Sequence, residues 1–115
     1  MRIDNILITY DNDFFHALEV IDKSGMGMAI IIDKDGRFIR TVTDGDIRRL
    51  MLNHNKKDKD LHSLQGIQSI YATENESNSA LIEKMRANDI QQLPILDSEF
   101  RPVDVVLRKN IEFPI

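Results

Sequence analysis

Thr41-Val42-Thr43-Asp44-Gly45-Asp46-Ile47-Arg48-Arg49 joins the end of an apolar strand to the start of a helix and sets a hydroxyl and a carboxylate three residues apart at the joint. Backbone N–H groups in the first turn of a helix lack intrahelical acceptors and point outward, so they attract phosphate. A carboxylate only accepts hydrogen bonds, which suits the two hydroxyls of a ribose. On that chemistry Thr43 faces a phosphate and Asp46 a ribose. The same spacing also describes a helix cap, with Thr43 as N-cap and Asp46 three residues on, although a capping box prefers Glu or Gln there. Local spacing alone favours the cap.

The balance shifts because the chain repeats itself without gaps at an offset of 64 residues, and an internal period has to be read before any fold is assigned. Ile30 then falls on Pro94, Glu19 on Glu83, Asp33 on Asp97, Arg37 on Arg101, Val42 on Val106 and Ile47 on Ile111. Apolar character carries over as well, from Leu18 to Ile82, Ile21 to Met85 and Ile39 to Val103. The chain reads as two copies of one unit, drawn at residues 1–56 and 57–115.

In the first copy Asp11 or Asn12 can cap a helix with Phe14, Ala17, Leu18 and Ile21 on one face, and Gly25 can end it. Met28 to Asp33 is a short apolar run whose three isoleucines fit a strand buried on both faces. Lys34-Asp35-Gly36 reads as a hairpin turn, Phe38 to Thr43 as the return strand, and Ile47, Leu50 and Met51 have the spacing to pack a second helix down. The second copy gives a helix over Ser79 to Ala87, strands over Leu93 to Leu96 and Val103 to Leu107, a turn at Ser98-Glu99 and a short final helix. Pro94 cannot donate to a ladder, so it belongs at a strand start or edge. Asn53 to Asp60 is polar without apolar period and reads as the connector.

A helix, a strand pair and Thr-x-x-Asp opening a helix, followed by a second copy carrying Gln92-Leu93-Pro94-Ile95-Leu96-Asp97, resembles a pair of cystathionine-β-synthase (CBS) domains over nearly the whole chain. The resemblance implies an α/β fold of the α+β kind, two β-α-β-β-α repeats packed through their sheets into one module. It also implies an adenosine-containing ligand such as AMP, ADP, ATP or S-adenosylmethionine in the cleft between them. The family motif runs Gly, two residues, Ser or Thr, two residues, Asp. The first copy reads Arg40-Thr41-Val42-Thr43-Asp44-Gly45-Asp46, with arginine where the family usually has glycine. The second reads Asp104-Val105-Val106-Leu107-Arg108-Lys109-Asn110 and has lost both hydroxyl and carboxylate. Thr41, Thr43 and Asp46 are therefore the nucleotide-binding candidates, with Leu93 and Pro94 as an apolar wall beside backbone carbonyls that read the adenine amino group. Met26 and Met28 could line an adenine slot, thioethers adapting to flat rings, although such residues are more often core.

A finer resemblance comes from the Thr41–Arg49 wording together with Ile90-Gln91-Gln92-Leu93-Pro94 and Ala17-Leu18-Glu19-Val20-Ile21-Asp22. It is similar to the CBS pair preceding the catalytic domain of sugar-phosphate nucleotidyltransferases of the mannose-1-phosphate guanylyltransferase type. No glycine-rich phosphate loop follows Ile111-Glu112-Phe113-Pro114-Ile115, so the expectation is a regulatory module without catalytic residues, covalently attached to such an enzyme in a parent protein.

Composition is compatible with that class. At 115 residues the chain can bury one domain-sized core, while either half alone would be marginal. A net charge of −4 with interspersed acids and bases leaves no footprint for nucleic acid or an anionic membrane surface, so neither is an expected partner. With no Cys there is neither a disulfide framework nor a thiolate metal site, and the start of the chain lacks a long apolar segment, which makes the cytoplasm the expected location. His16, His54 and His62 are too far apart for a helical ligand pair, the serines show no nucleophile elbow, and no metal site or catalytic residue is expected. Arg48 and Arg49 could reach a phosphate or simply offset Asp44 and Asp46. Ile47, Leu50, Met51 and Leu52 crowd more apolar surface onto one helix than a single unit covers, which predicts a homodimer. Three functions remain: an adenine-nucleotide sensor, a ligand-free structural dimerisation module, and a catalytic domain in its own right, which no acid/base pair, metal cluster or nucleophile triad in the sequence supports.

Overall fold

The computed structural model describes residues 3–53, 61, 64 and 70–112, and divides the chain into two compact units, Asp4–Ser69 and Ile70–Ile115 with Met1–Ile3. In the first unit a 3-10 turn at Ile3–Ile6 leads into β1 (Leu7–Ile8), followed by α1 (Phe14–Ser24), β2 (Met28–Ile32), β3 (Phe38–Thr43) and α2 (Asp44–Asn53). The second unit has β4 (Ala72–Thr73), α3 (Asn78–Asn88), β5 (Gln92–Leu96), β6 (Pro102–Leu107) and α4 (Arg108–Glu112). Each unit holds a three-stranded mixed sheet, β1-β2-β3 in one and β4-β5-β6 in the other, with the middle strand parallel to the first and antiparallel to the last.

The offset of 64 holds residue for residue. Met28 pairs with Thr43 and Gln92 with Leu107, and the register slips between Ile31 and Ile32 in one hairpin and between Ile95 and Leu96 in the other. The turns share one chemistry as well. Asp33 Oδ1 accepts from the backbone of Asp35 and Arg37, and Asp97 Oδ1 from that of Glu99 and Arg101. Such carboxylate turns satisfy amides that no strand partner reaches. The third turn position has positive φ in both copies, 82° at Gly36 and 65° at Phe100.

Helix ends follow the same rule. Asp13 caps α1 by accepting from the His16 N–H, Ser77 caps α3 by accepting from the Ala80 N–H, and left-handed Gly25 and Asp89 close them. The expected caps Asp11 and Asn12 lie one or two positions early. Asn12 instead accepts from the Thr9 N–H at 2.8 Å and braces the loop before the cap.

Pro94 corrects a second expectation. It is the third residue of the middle strand, neither a start nor an edge. In the first unit the parallel ladder includes Leu7 with Ile30, the equivalent of Pro94, whereas β4 joins β5 only from Ala72 with Ile95 onward. The missing proline donor is accommodated where the neighbouring strand has not yet begun.

The first core gathers Ile8, Ala17, Ile31, Val42 and Ile47, and also Leu61 and Leu64, both buried beyond the polar connector. Leu61 is anchored there by its N–H donating to the Tyr10 carbonyl. The second core is smaller, with Ala72, Leu81, Met85, Leu93 and Ile95. Met51 does not pack down as its spacing predicted: it is 42% exposed, and Leu52 is 83% exposed. The connector residues 54–60 lie outside the described residues, as does the boundary drawn between 56 and 57. No described helix is long and apolar enough to cross a membrane.

Candidate functional site

Antiparallel pairing puts cross-strand partners on the same face of a sheet, so register alone sorts the candidate residues. Met28 with Thr43 and Ile30 with Thr41 share one face of the first sheet, and Ala29 with Val42 and Ile31 with Arg40 share the other, which packs against α1 and α2. Thr41, Thr43 and Met28 are thus brought together, Met28 almost fully buried and the threonines half-buried. In the second sheet Leu93 and Pro94 point to opposite faces. The Leu93 side chain lies in the core with Leu81 and Met85, so only its backbone is available to a base.

At the β3–α2 joint the cap and the carboxylate are reciprocal. The Thr43 N–H donates to Asp46 Oδ2 at 2.9 Å, and the Asp46 N–H donates to Thr43 Oγ1 at 3.2 Å. This is a capping box built with aspartate. The shorter side chain still reaches because Thr43 ends a strand and turns directly into the helix. Gly45 leaves room for the Arg49 guanidinium, which would stand 3.4 Å from a Cβ placed there.

Three arginines surround this box. Arg49 Nη2 donates to Asp46 Oδ1 at 2.6 Å, and Arg48 Nε sits 3.1 Å from Asp44 Oδ2; both arginines are largely solvated, while Asp46 is only 21% exposed. The pairs match the expected offset of Asp44 and Asp46 and contribute little to stability with their arginines in solvent. Arg40, three residues before Thr43, differs from both: its side chain is only 9% exposed. Its Nε donates to the Thr41 carbonyl at 2.9 Å, and Nη2 lies 3.9 Å from Asp46 Oδ2. A groove of about 510 Å³ opens beside the same helix start, lined by Leu18, Asp22, Gly25, Gly27, Asp44 and Arg48.

The equivalent joint in the second unit has reversed charges and no box. Asp104 stands for Arg40 and bonds the Val105 N–H, Arg108 stands for Asp44 and lies 3.8 Å from Asp89, and Leu107 and Asn110 replace the hydroxyl and carboxylate. That unit carries a different polar cluster, which the sequence did not announce. Lys84 Nζ donates to Glu76 Oε1 and to the Tyr71 carbonyl, both at 2.9 Å, and Glu76 Oε2 accepts from the Thr73 N–H. The bond from Lys84, reinforced by the Thr73 amide, holds the Glu76 carboxyl below its ordinary pKa. Among the described residues no group of three or more His, Asp or Glu is placed to hold a metal ion.

Residues 1–53 match the family model of the CBS domain. The chain is 23% identical over 108 residues to inosine-5'-monophosphate dehydrogenase of Methanocaldococcus jannaschii, covering 94% of this chain and 21% of that enzyme. Among solved structures it superposes on the CBS domain pair of protein MJ0100 in complex with 5'-methylthioadenosine and S-adenosyl-L-methionine. The TM-score is 0.78 at 21% identity, covering 93% of this chain and 84% of that one. CBSX2 in complex with AMP superposes with a TM-score of 0.78 at 16% identity, covering 92% and 83%. The fold is that of a tandem CBS domain pair.

Proposed function

We propose that this chain, a tandem CBS pair by fold, is a regulatory module that senses an adenosine-containing nucleotide through Thr43, Asp46 and Thr41 of its first repeat. The observation that carries the reading is the β3–α2 joint. A hydroxyl and a carboxylate are fixed against each other at a helix start, with cationic side chains beside them. The adenosine ligands of the MJ0100 pair and of CBSX2 support the ligand class, AMP, ADP, ATP or S-adenosylmethionine. On the base side the proposal assigns Met28, Pro94 and the backbone at Leu93.

The proposal keeps the repeats at 1–56 and 57–115 and makes the module cytoplasmic and regulatory rather than catalytic. It attaches the module to a larger enzyme, for which the resemblance favours a sugar-phosphate nucleotidyltransferase. The chain spans about a fifth of the curated relative it matches, so an attached catalytic part has ample precedent in length. A homodimer would cover exposed Met51 and Leu52 on α2. Light scattering at high micromolar concentration tests that, a monomer counting against it.

A second reading has its own observation. Both Asp46 oxygens already hold protein donors, which suits a helix cap in a ligand-free dimerisation module. Calorimetry against AMP, ADP, ATP, GDP, GTP and S-adenosylmethionine separates the two. Heat from an adenine ligand that Asp46→Ala abolishes supports sensing; no heat from any of them, with Asp46→Ala lowering only the melting temperature, supports the structural module.

A further inference from the structure

We infer that Arg40 makes the first-repeat site selective for phosphate-bearing ligands, so that a nucleoside phosphate binds in preference to uncharged adenosine compounds. The inference rests on the sensing reading above and narrows its ligand class.

A buried guanidinium needs its donors satisfied, because removing such a charge from water costs several kcal/mol unless partners replace the lost hydration. Arg40 meets that demand only in part. Nε has the Thr41 carbonyl, while among the described residues Nη2 has Asp46 at 3.9 Å, beyond hydrogen-bond length. The planar fork is therefore pinned at one corner, with Nη2 lying toward Asp46 in the first turn of α2. This is the geometry that receives two phosphate oxygens.

Asp46 is matched by Arg49 and Asp44 by Arg48, and Asp22 on the groove wall balances the remaining charge, so the preference for phosphate rests on the donors of Arg40 and on a helix N-terminus that is itself electropositive. If Asp46 turns to a ribose, Arg49 is released as a second cation, and its exposed side chain is free to follow the phosphate. The second repeat serves as an internal control, with Asp104 where Arg40 stands. A carboxylate there repels the group that an arginine attracts.

The test compares AMP with adenosine and 5'-methylthioadenosine by calorimetry on the whole chain, as wild type, Arg40→Lys, Arg40→Met and Asp104→Asn, with thermal melts to confirm folding. Wild type should bind AMP at least about tenfold tighter than adenosine, in line with one charge-assisted bond. Arg40→Met should bring AMP down to the adenosine level and leave adenosine within about twofold. Arg40→Lys should keep part of the preference, which holds the test open if the methionine variant unfolds, and Asp104→Asn should change nothing. Equal affinity for AMP and adenosine in wild type, or an AMP-to-adenosine ratio that Arg40→Lys leaves untouched while Arg40→Met melts normally with the ratio intact, overturns the inference and leaves the sensing reading standing. No binding of any adenine compound overturns both.

Discussion

The two repeats share every strand register and both helix caps by position, yet they part at the one joint where a strand hands over to a helix. In the first, Thr43 and Asp46 bond reciprocally with Arg40 and Arg49 beside Asp46; in the second, Leu107, Asp104 and Asn110 offer neither the box nor a cation at those positions. The frame tolerates both versions because the joint lies at the end of the strand, where side chains can change without disturbing the ladder. Duplication therefore supplied two equivalent scaffolds, and the chemistry is concentrated on one of them.

The sharpest way to break that comparison is through the cores. Ile47 is fully buried and its counterpart Ile111 only half-buried. Ile47→Ala should cost about 3 kcal/mol, in the range of buried large-to-small changes, and Ile111→Ala about 1 kcal/mol. Urea midpoints measure both, and equal losses would show that the second core is as tightly built as the first. Next comes the joint itself. Asp46→Ala should weaken adenine-nucleotide binding about a hundredfold and cost about 1 kcal/mol as a lost cap, whereas Asn110→Ala should leave both nearly unchanged. Calorimetry and melting on the same samples separate the two effects.

Acid should act on the second repeat through Glu76. Its pKa is lowered in the folded state by Lys84, so its contribution is fully present above the ordinary glutamate range and is lost as pH falls through the lower folded value. Glu76→Gln should flatten the acid limb of stability measured between about pH 5 and 3. The first repeat has Asn12 at that position and no such titration. The smallest effect belongs to the turns. Gly36→Ala should cost about 1 kcal/mol at a φ of 82°. Phe100→Gly should change stability by less than that, because relief of its left-handed backbone offsets the lost edge-on contact with Tyr71 at 5.1 Å. Chemical denaturation resolves both.

Much of this was legible from the 64-residue period, since paired residues such as Asp33 and Asp97, or Ile31 and Ile95, occupy the same places to the residue. The failures were local and physical. Asn12 and Asp13 are both good caps, and only the Thr9 amide, which takes Asn12, decides between them. The missing donor of Pro94 implies a strand start or edge, and nothing in the sequence shows that the β4 ladder begins only at Ala72 with Ile95. Leu61 and Leu64 are two isolated apolar residues between the charged run ending at Asp60 and the polar Gln65-Gly66, too few to set a period, so their burial could not be read from spacing. At the site, Thr43 and Asp46 stood out by spacing, but the burial of Arg40 did not. An arginine in a strand looks solvated until the register with Ile31 puts it on the inner face.

The aspartate turns at Asp33 and Asp97 also protect the chain from its own duplication. Two hairpins of one register and one turn chemistry are interchangeable partners, and β2 of one copy could pair with β6 of the other or with a second molecule. Each turn, however, is clamped by a carboxylate holding two amides and by a backbone bond from Asp33 to Arg37 or from Asp97 to Arg101. A closure this short forms a hairpin within microseconds, well before distant strands or another chain can compete. Fast local closure thereby favours correct pairing beside the differences between the strands, Pro94 against Ile30 and Asp104 against Arg40, and lengthening either turn should raise strand exchange.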